Sequence, residues 1–262
     1  MTQHIGIPRR LLAATITFAV AALPALADFI PLPVKWSQPI GFDASGLIIG
    51  KDRLSDHTAF GATGQGIVRA DDFICNIPLP IVAVRWWGSY IGEGPANGLA
   101  PRPKTGPAAV GPFDISFHFS TANGNPTVAH PFSLPLDPPL YLTTVHAQEE
   151  FVGVDQAGDF VYRYDAFLPT PFQQQGTQTN PLEYFLDIDK PTRENWGWHE
   201  SPFGGLDFPA VAPGHFGPWT SDPPHDLAFE LMVVPEPSSA ALAGLSAVLF
   251  LGWVRGRRQI RR

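Results

Sequence analysis

The stretch Phe113-Asp-Ile-Ser-Phe-His-Phe119 decides the fold. Phe113, Ile115, Phe117 and Phe119 alternate with Asp114, Ser116 and His118, and successive side chains of a strand leave on opposite faces. An apolar face backed by a polar one reads as a half-buried β-strand. The same period of two recurs three times. Phe160, Tyr162 and Tyr164 alternate with Val161, Arg163 and Asp165; Tyr184, Leu186 and Ile188 with Glu183, Phe185 and Asp187; Leu227, Phe229 and Leu231 with Asp226, Ala228 and Glu230. Residues 81–91 differ. They form a longer apolar run rich in β-branched and aromatic types, which suits a central strand covered on both faces. Shorter strands are expected at 34–37, 67–70, 141–147 and 196–200. No window of the body has convincing helical periodicity. Eight or nine short strands predict an all-β fold, a two-sheet antiparallel β-sandwich of jelly-roll-like type.

Between these strands, residues 92–112, 169–182 and 201–224 are rich in Gly, Pro, Gln or Thr and read as long loops. The 29 prolines and 25 glycines fit short strands joined by turns, not helical layers. Hydrophobic residues make up 44% of the chain, enough for a sizeable core. Cys75 is the sole cysteine, which excludes an intramolecular disulfide and a cysteine-based zinc site; it reads as a buried thiol.

The formal charge of −7 is unevenly spread, because seven of the 17 basic residues lie at the two ends. The remaining ten face 24 carboxylates, so the body together with its Pro235-Glu236-Pro237 triplet carries a balance of about −14. Such a surface repels phosphate backbones, so nucleic acid is not an expected partner.

Both ends read as targeting segments. Arg9-Arg10 precedes an uncharged apolar run over 11–23, and Ala25 and Ala27 place small residues at −3 and −1, so a signal peptide spans 1–27 with cleavage before Asp28. General secretion suits this pattern better than a twin-arginine route, since Pro-Arg-Arg-Leu-Leu lacks the rest of that motif. At the other end, Pro235-Glu236-Pro237 is followed by 17 uncharged residues, 238–254, and then by Arg255, Arg257, Arg258, Arg261 and Arg262. Seventeen residues at ~1.5 Å rise are just enough for a transmembrane helix, and the arginines would hold its far end in the cytoplasm. The domain plan is therefore a signal peptide at 1–27, a β-sandwich at 28–233 and a C-terminal segment at 234–262.

Val234-Pro-Glu-Pro-Ser-Ser239, the apolar run and the Arg-rich terminus together resemble the PEP-CTERM sorting signal. The resemblance implies processing near the triplet by an exosortase, passage through the inner membrane of a Gram-negative envelope, and association with extracellular polysaccharide or biofilm matrix. The body resembles an uncharacterised all-β domain of exported bacterial proteins. The blocks that carry this are Lys35-Trp-Ser-Gln-Pro39, Ala70-Asp-Asp-Phe-Ile-Cys75, Arg85-Trp-Trp-Gly-Ser-Tyr90, Trp196-Gly-Trp198 and Asp226-Leu-Ala-Phe229. It implies a sandwich and no particular activity.

Tryptophans are numerous, and a sugar platform needs exposed rings flanked by polar groups. Trp86 and Trp87 must point to opposite faces, whereas Trp196 and Trp198 share one. Trp196, Trp198 and Trp219 are the candidate glycan contacts, with Trp219 in a Pro-rich loop expected to be the most exposed. The acidic groups Asp71-Asp72, Glu149-Glu150, Asp155 with Asp159, and Asp187 with Asp189 read mostly as solvated surface. Asp155-Gln-Ala-Gly-Asp159 is too short for an EF-hand loop; a structural calcium ion is left open without a motif, and no cofactor or metal residue is singled out. The body's histidines are scattered, and no nucleophile elbow, P-loop or dinucleotide fingerprint appears, so no catalytic residue is assigned. The expectation is a non-catalytic matrix protein, with a carbohydrate-binding module and an envelope glycan hydrolase as alternatives.

Overall fold

The computed structural model describes residues 32–57, 66–104, 110–123, 132–192, 194–205, 207–214 and 217–234. The signal peptide, its cleavage site at Ala25, Ala27 and Asp28, the Pro235-Glu236-Pro237 triplet, the span 238–254 and Arg255, Arg257, Arg258, Arg261 and Arg262 lie outside them.

Two antiparallel sheets face each other. The first is centred on β4 (Ile81–Tyr90), the long apolar run. Along one edge of β4 lies β8 (Phe160–Phe172), followed by β7 (Gln148–Val154). The other edge is shared: β14 (Phe229–Val233) pairs with the first half of β4, and β10 (Trp196–Ser201) with Gly88 to Tyr90. Beyond these come β1 (Val34–Gln38) on β14, and β2 (Asp52–Leu54) and β13 (Asp226–Leu227) on β10. The second sheet runs β12 (Thr220–Ser221), β11 (Ala210–Ala212), β3 (Val68–Cys75), β9 (Leu182–Asp189), β5 (Pro112–Phe119), β6 (Tyr141–His146).

The period-two residues meet between the sheets. Phe113, Ile115 and Phe117 of β5 and Tyr184, Leu186 and Ile188 of β9 pack against Tyr162 and Tyr164 of β8, and against Trp196 and Trp198 of β10. Phe113 is the wedge: its ring stands edge-on to Trp86 and to Trp196, at 5.1 Å between centroids in each case. Trp86 stacks on Tyr164 at 5.5 Å. Each such pair adds about 0.5–1.5 kcal/mol beyond the apolar area it hides. The glycine of Arg85-Trp-Trp-Gly88 is required by this arrangement, because a Cβ there would stand 2.4 Å from the Trp196 ring and from the carbonyl oxygen of Gly197. As the pattern requires, Trp87 faces the other way, packing with Ile48, Val161 and Ala228.

Several sequence expectations need correction. Parts of the outer faces are covered, and there the alternation is not apolar-in and solvated-out. Ser116 and His118 of β5 are buried, His118 edge-on to Trp219 at 5.5 Å. Over this face Val68, Ala70, Phe185, Ala210, Ala212 and Trp219 form a second small core, built partly from the segment expected to be a loop over 201–224. That segment carries β11 and β12. The stretch 169–182 is also partly strand, since β8 continues to Phe172. The described residues of 92–112 match the loop expectation except for a 3₁₀ turn at Pro95–Asn97 and for Pro112, the first residue of β5. β2 and β7 were not anticipated.

Candidate functional site

The three candidate glycan contacts do not form a platform. Trp196 and Trp198 are completely buried, and Trp219 is only 7% exposed. The cause is the double covering just described. Trp196 and Trp198 enter the inter-sheet core, where the Trp198 Nε1–H donates to the Ala228 carbonyl at 2.9 Å. Trp219 closes the outer core over β5, and its Nε1–H approaches Asp137 Oδ1 at 3.4 Å. A sugar ring needs an open aromatic face, and none of these three offers one.

The carboxylates also depart from expectation. Asp71, Asp72, Glu149, Asp155, Asp187 and Asp189 are all buried, whereas a solvated surface was expected. Buried charge is costly unless hydrogen bonds or counter-charges meet it, so each constellation is defined by what meets it.

At one end of the sandwich the charges answer each other. The Glu149 carboxylate accepts from Tyr90 Oη at 2.9 Å. Fully buried Lys190 donates to the Val110 carbonyl at 2.6 Å, lies 3.3 Å from Glu194 Oε2, and sits 4.3 Å from the Phe113 ring centre.

A second constellation ties the two sheets together. Asp71 on β3 accepts from the Gln38 side-chain amide on β1 and, at 2.6 Å, from the main-chain N–H of Leu227 on β13. Its other oxygen accepts from the N–H of Asp72 at 3.0 Å. One carboxyl of the second sheet thus anchors two strands of the first. Asp72 points to the outer side, where it accepts from the Asp207 N–H at 3.2 Å, while Ser133 bridges Glu183 and Asp207. Burial, followed by the charges of Glu183, Asp207 and Asp226, raises Asp72 to about 7 against the pull of the Asp207 N–H. Burial and the neighbouring Asp72 and Asp226 raise Asp71 well above the usual carboxylate range.

The third constellation lies on the outer face of the first sheet. Trp198 points inward, so its neighbour His199 must point outward, and His199 pairs directly with Asp52 across the β10–β2 ladder. Asp155, at the end of β7, is brought to the same place by the bridge between its backbone and Ile48. The side chains of Asp52, Asp155 and His199 are at most 1% exposed. His199 Nδ1 lies 3.1 Å from Asp52 Oδ1 and 4.0 Å from Asp155 Oδ2. The opposite ring nitrogen, Nε2, faces the Ile49 carbonyl at 3.2 Å. Asp155 Oδ1 accepts from the Asp159 N–H at 2.8 Å. The remaining oxygens, Asp52 Oδ2 and Asp155 Oδ2, are buried and meet no hydrogen-bond donor. Gly197 makes room for this centre: a Cβ there would come within 2.8 Å of the Asp52 Cβ. Burial and Asp52, partly offset by the Asp159 N–H and His199, raise Asp155 to about 6. A cleft of about 450 Å³ is lined by a chain neighbour of each of the three residues, Lys51, Gln156 and Glu200.

Ligand atoms of His57, Asp114 and Asp189 also converge, with His57 Nδ1 against Asp189. Sequence reasoning singled out Asp155 but missed Asp52 and His199 as its partners. The alternation around Trp198 could have placed His199 on the outer face; nothing in the sequence pairs either residue with Asp155.

These features define a class: a two-sheet antiparallel β-sandwich whose polar interior is built from carboxylates. Within that class the chain belongs to the family described as Domain of unknown function (DUF7901), whose model matches residues 34–232. No curated protein and no solved structure matches the chain.

Proposed function

We propose that the chain is an exported, envelope-sorted, non-catalytic protein, a structural or adhesive component of an extracellular polysaccharide matrix. One observation carries the reading: a signal-peptide pattern at 1–27 and the ordered series of Pro235-Glu236-Pro237, apolar run and Arg-rich terminus flank one β-sandwich. Secretion machinery, an exosortase and the inner membrane are the partners this implies, with polysaccharide as the surrounding medium.

The body's chemistry supports a structural role over a hydrolytic one. A glycosidase needs an acid and a second carboxylate facing a substrate across an accessible gap of ~5–10 Å. The close carboxylates here, Asp52 with Asp155 and Asp71 with Asp72, are buried from solvent. The carbohydrate-binding alternative loses its tryptophans and would need another surface.

The test is the intact mass of the mature protein from its native host, with and without the sorting enzyme. A mass beginning at Asp28 and ending near the triplet, and lost without the enzyme, is the expected result. Retention of the chain through Arg262 in both strains would leave a plain anchor and remove the link to the matrix. Reproducible polysaccharide hydrolysis by the purified protein would overturn the non-catalytic part.

A further inference from the structure

We infer that Asp52, Asp155 and His199 form a zinc-type divalent cation site inside the outer layer of the first sheet. The ligand atoms of the three lie within 4.8 Å of one another. At metal–ligand distances of ~2.0 Å, the donors of a tetrahedral site stand ~3.3 Å apart, and the separations of 3.1 and 4.0 Å from Nδ1 bracket that value.

Two further observations point to a ligand, beyond the proximity of the acids. The first is the pair of donorless oxygens, Asp52 Oδ2 and Asp155 Oδ2, in side chains hidden from water. Buried carboxylate oxygens are nearly always met by N–H, O–H or a cation. The second is the orientation of the imidazole. Ile49 offers Nε2 a carbonyl, which can only accept, so Nε2 carries a proton and Nδ1 is the ring nitrogen turned toward the two acids, where a cation would take the place of its proton. A histidine held by a carbonyl on its far nitrogen is the usual outer arrangement of a metal-binding imidazole. On Asp155, the Asp159 N–H plays the corresponding part by fixing Oδ1.

The donor set selects the metal. Calcium takes six to eight oxygens at 2.3–2.6 Å, whereas one nitrogen and two carboxylates in a tight group suit zinc, with water in the fourth position. Bound there, the cation would join β2, β10 and the β7–β8 turn, three segments that are remote in sequence. It would thereby fix the covering of the outer face.

The experiment uses the full chain in detergent, stripped with chelator and dialysed, then titrated with zinc chloride against a chromophoric competitor. Uptake of one zinc per chain with a dissociation constant of ~1 µM or tighter is expected, with a rise of at least ~5 °C in the unfolding midpoint. Asp155→Asn and His199→Gln should each weaken binding more than ~10-fold, because each removes a direct ligand. The inference falls if the wild type takes up no zinc, if both variants bind as tightly as the wild type, or if equimolar calcium displaces the zinc. Should the variants not fold, cobalt(II) loading of the wild type decides. The visible absorption of a four-coordinate nitrogen–oxygen cobalt site is expected, and a spectrum matching six-coordinate aqueous cobalt overturns the site.

Discussion

Two carboxylate centres, equally withdrawn from water, differ in what was built around them. At Asp71 donors converge: the Gln38 amide and the N–H groups of Leu227 and Asp72 all point at one carboxyl. At Asp52 and Asp155 one oxygen of each acid is left without a donor, and an imidazole stands between them. The first arrangement is complete as a protein interior and binds sheet to sheet. The second is complete only with something added, whether a shared proton or a cation. A buried acid is thus a fastening where N–H groups converge on it, and a receptor where they do not.

The largest effect that can break this comparison is on stability. Asp71→Ala leaves three buried donors facing a cavity and should cost about 3 kcal/mol, since each orphaned donor alone is worth about 1–3 kcal/mol and relaxation recovers part. Asp155→Asn in metal-free protein should cost less than about 1 kcal/mol: the amide oxygen can still accept from Asp159 N–H, and one of two facing like charges is removed. Urea unfolding of both variants checks the order. Equal losses would mean that Asp155 is a fastening too.

Next in size is the pH dependence of the Asp71–Asp72 region. Asp72 is raised from 3.8 to about 7, so the folded state holds its proton more tightly than the unfolded chain. Its stabilising contribution is therefore full below pH ~4 and is lost as pH rises through ~7. Asp71, Glu183, Asp207 and Asp226 face it, and His225 acts on Asp226. Asp72→Asn keeps an acceptor for the Asp207 N–H but cannot ionise. The fall in stability between pH 4.5 and 8 should shrink by about 2–3 kcal/mol, with a residual slope from Asp71 and Asp226. Unfolding midpoints at three pH values measure this, and an unchanged slope would place the proton elsewhere.

The inter-sheet core was legible because its signal is local. Seven consecutive residues at 113–119 suffice to show period two, and β5 takes up that stretch with Phe113, Ile115 and Phe117 inside. The polar centres were not legible, because their logic is long-range. Asp71 receives its donors from residues 33 positions before it and 156 after it, and Asp52 meets His199 across 147 positions. β2 has three residues, too few for any period to show. The tryptophans were misjudged for a related reason. Trp219 sits in a Pro-rich stretch that looks solvent-exposed, but β11 pairs that stretch to β3 and closes it over His118. Composition reports what a segment is made of, not what it covers.

The smallest expected effect sharpens the comparison most, because it separates neighbours in one hairpin. In sequence, Asp155 and Asp159 lie four residues apart across a Gln-Ala-Gly turn that is too short for an EF-hand loop. In the fold they have different work. Asp155 turns one oxygen to Asp52 and His199, whereas the Asp159 carboxylate accepts from the Gly92 N–H at 3.1 Å and only its main chain serves Asp155. Asp159→Asn preserves an acceptor for Gly92 and leaves its own N–H in place. It should change stability by less than about 0.5 kcal/mol, as substitutions outside a core or network do. It should also change the zinc dissociation constant by less than ~2-fold, against the more than ~10-fold expected for Asp155→Asn. Equal losses for the two variants would place the cation in the hairpin turn and separate it from β2 and β10. Unequal losses would tie the site to the ladder register that sets His199 opposite Asp52, a pairing within the first sheet between residues 147 positions apart.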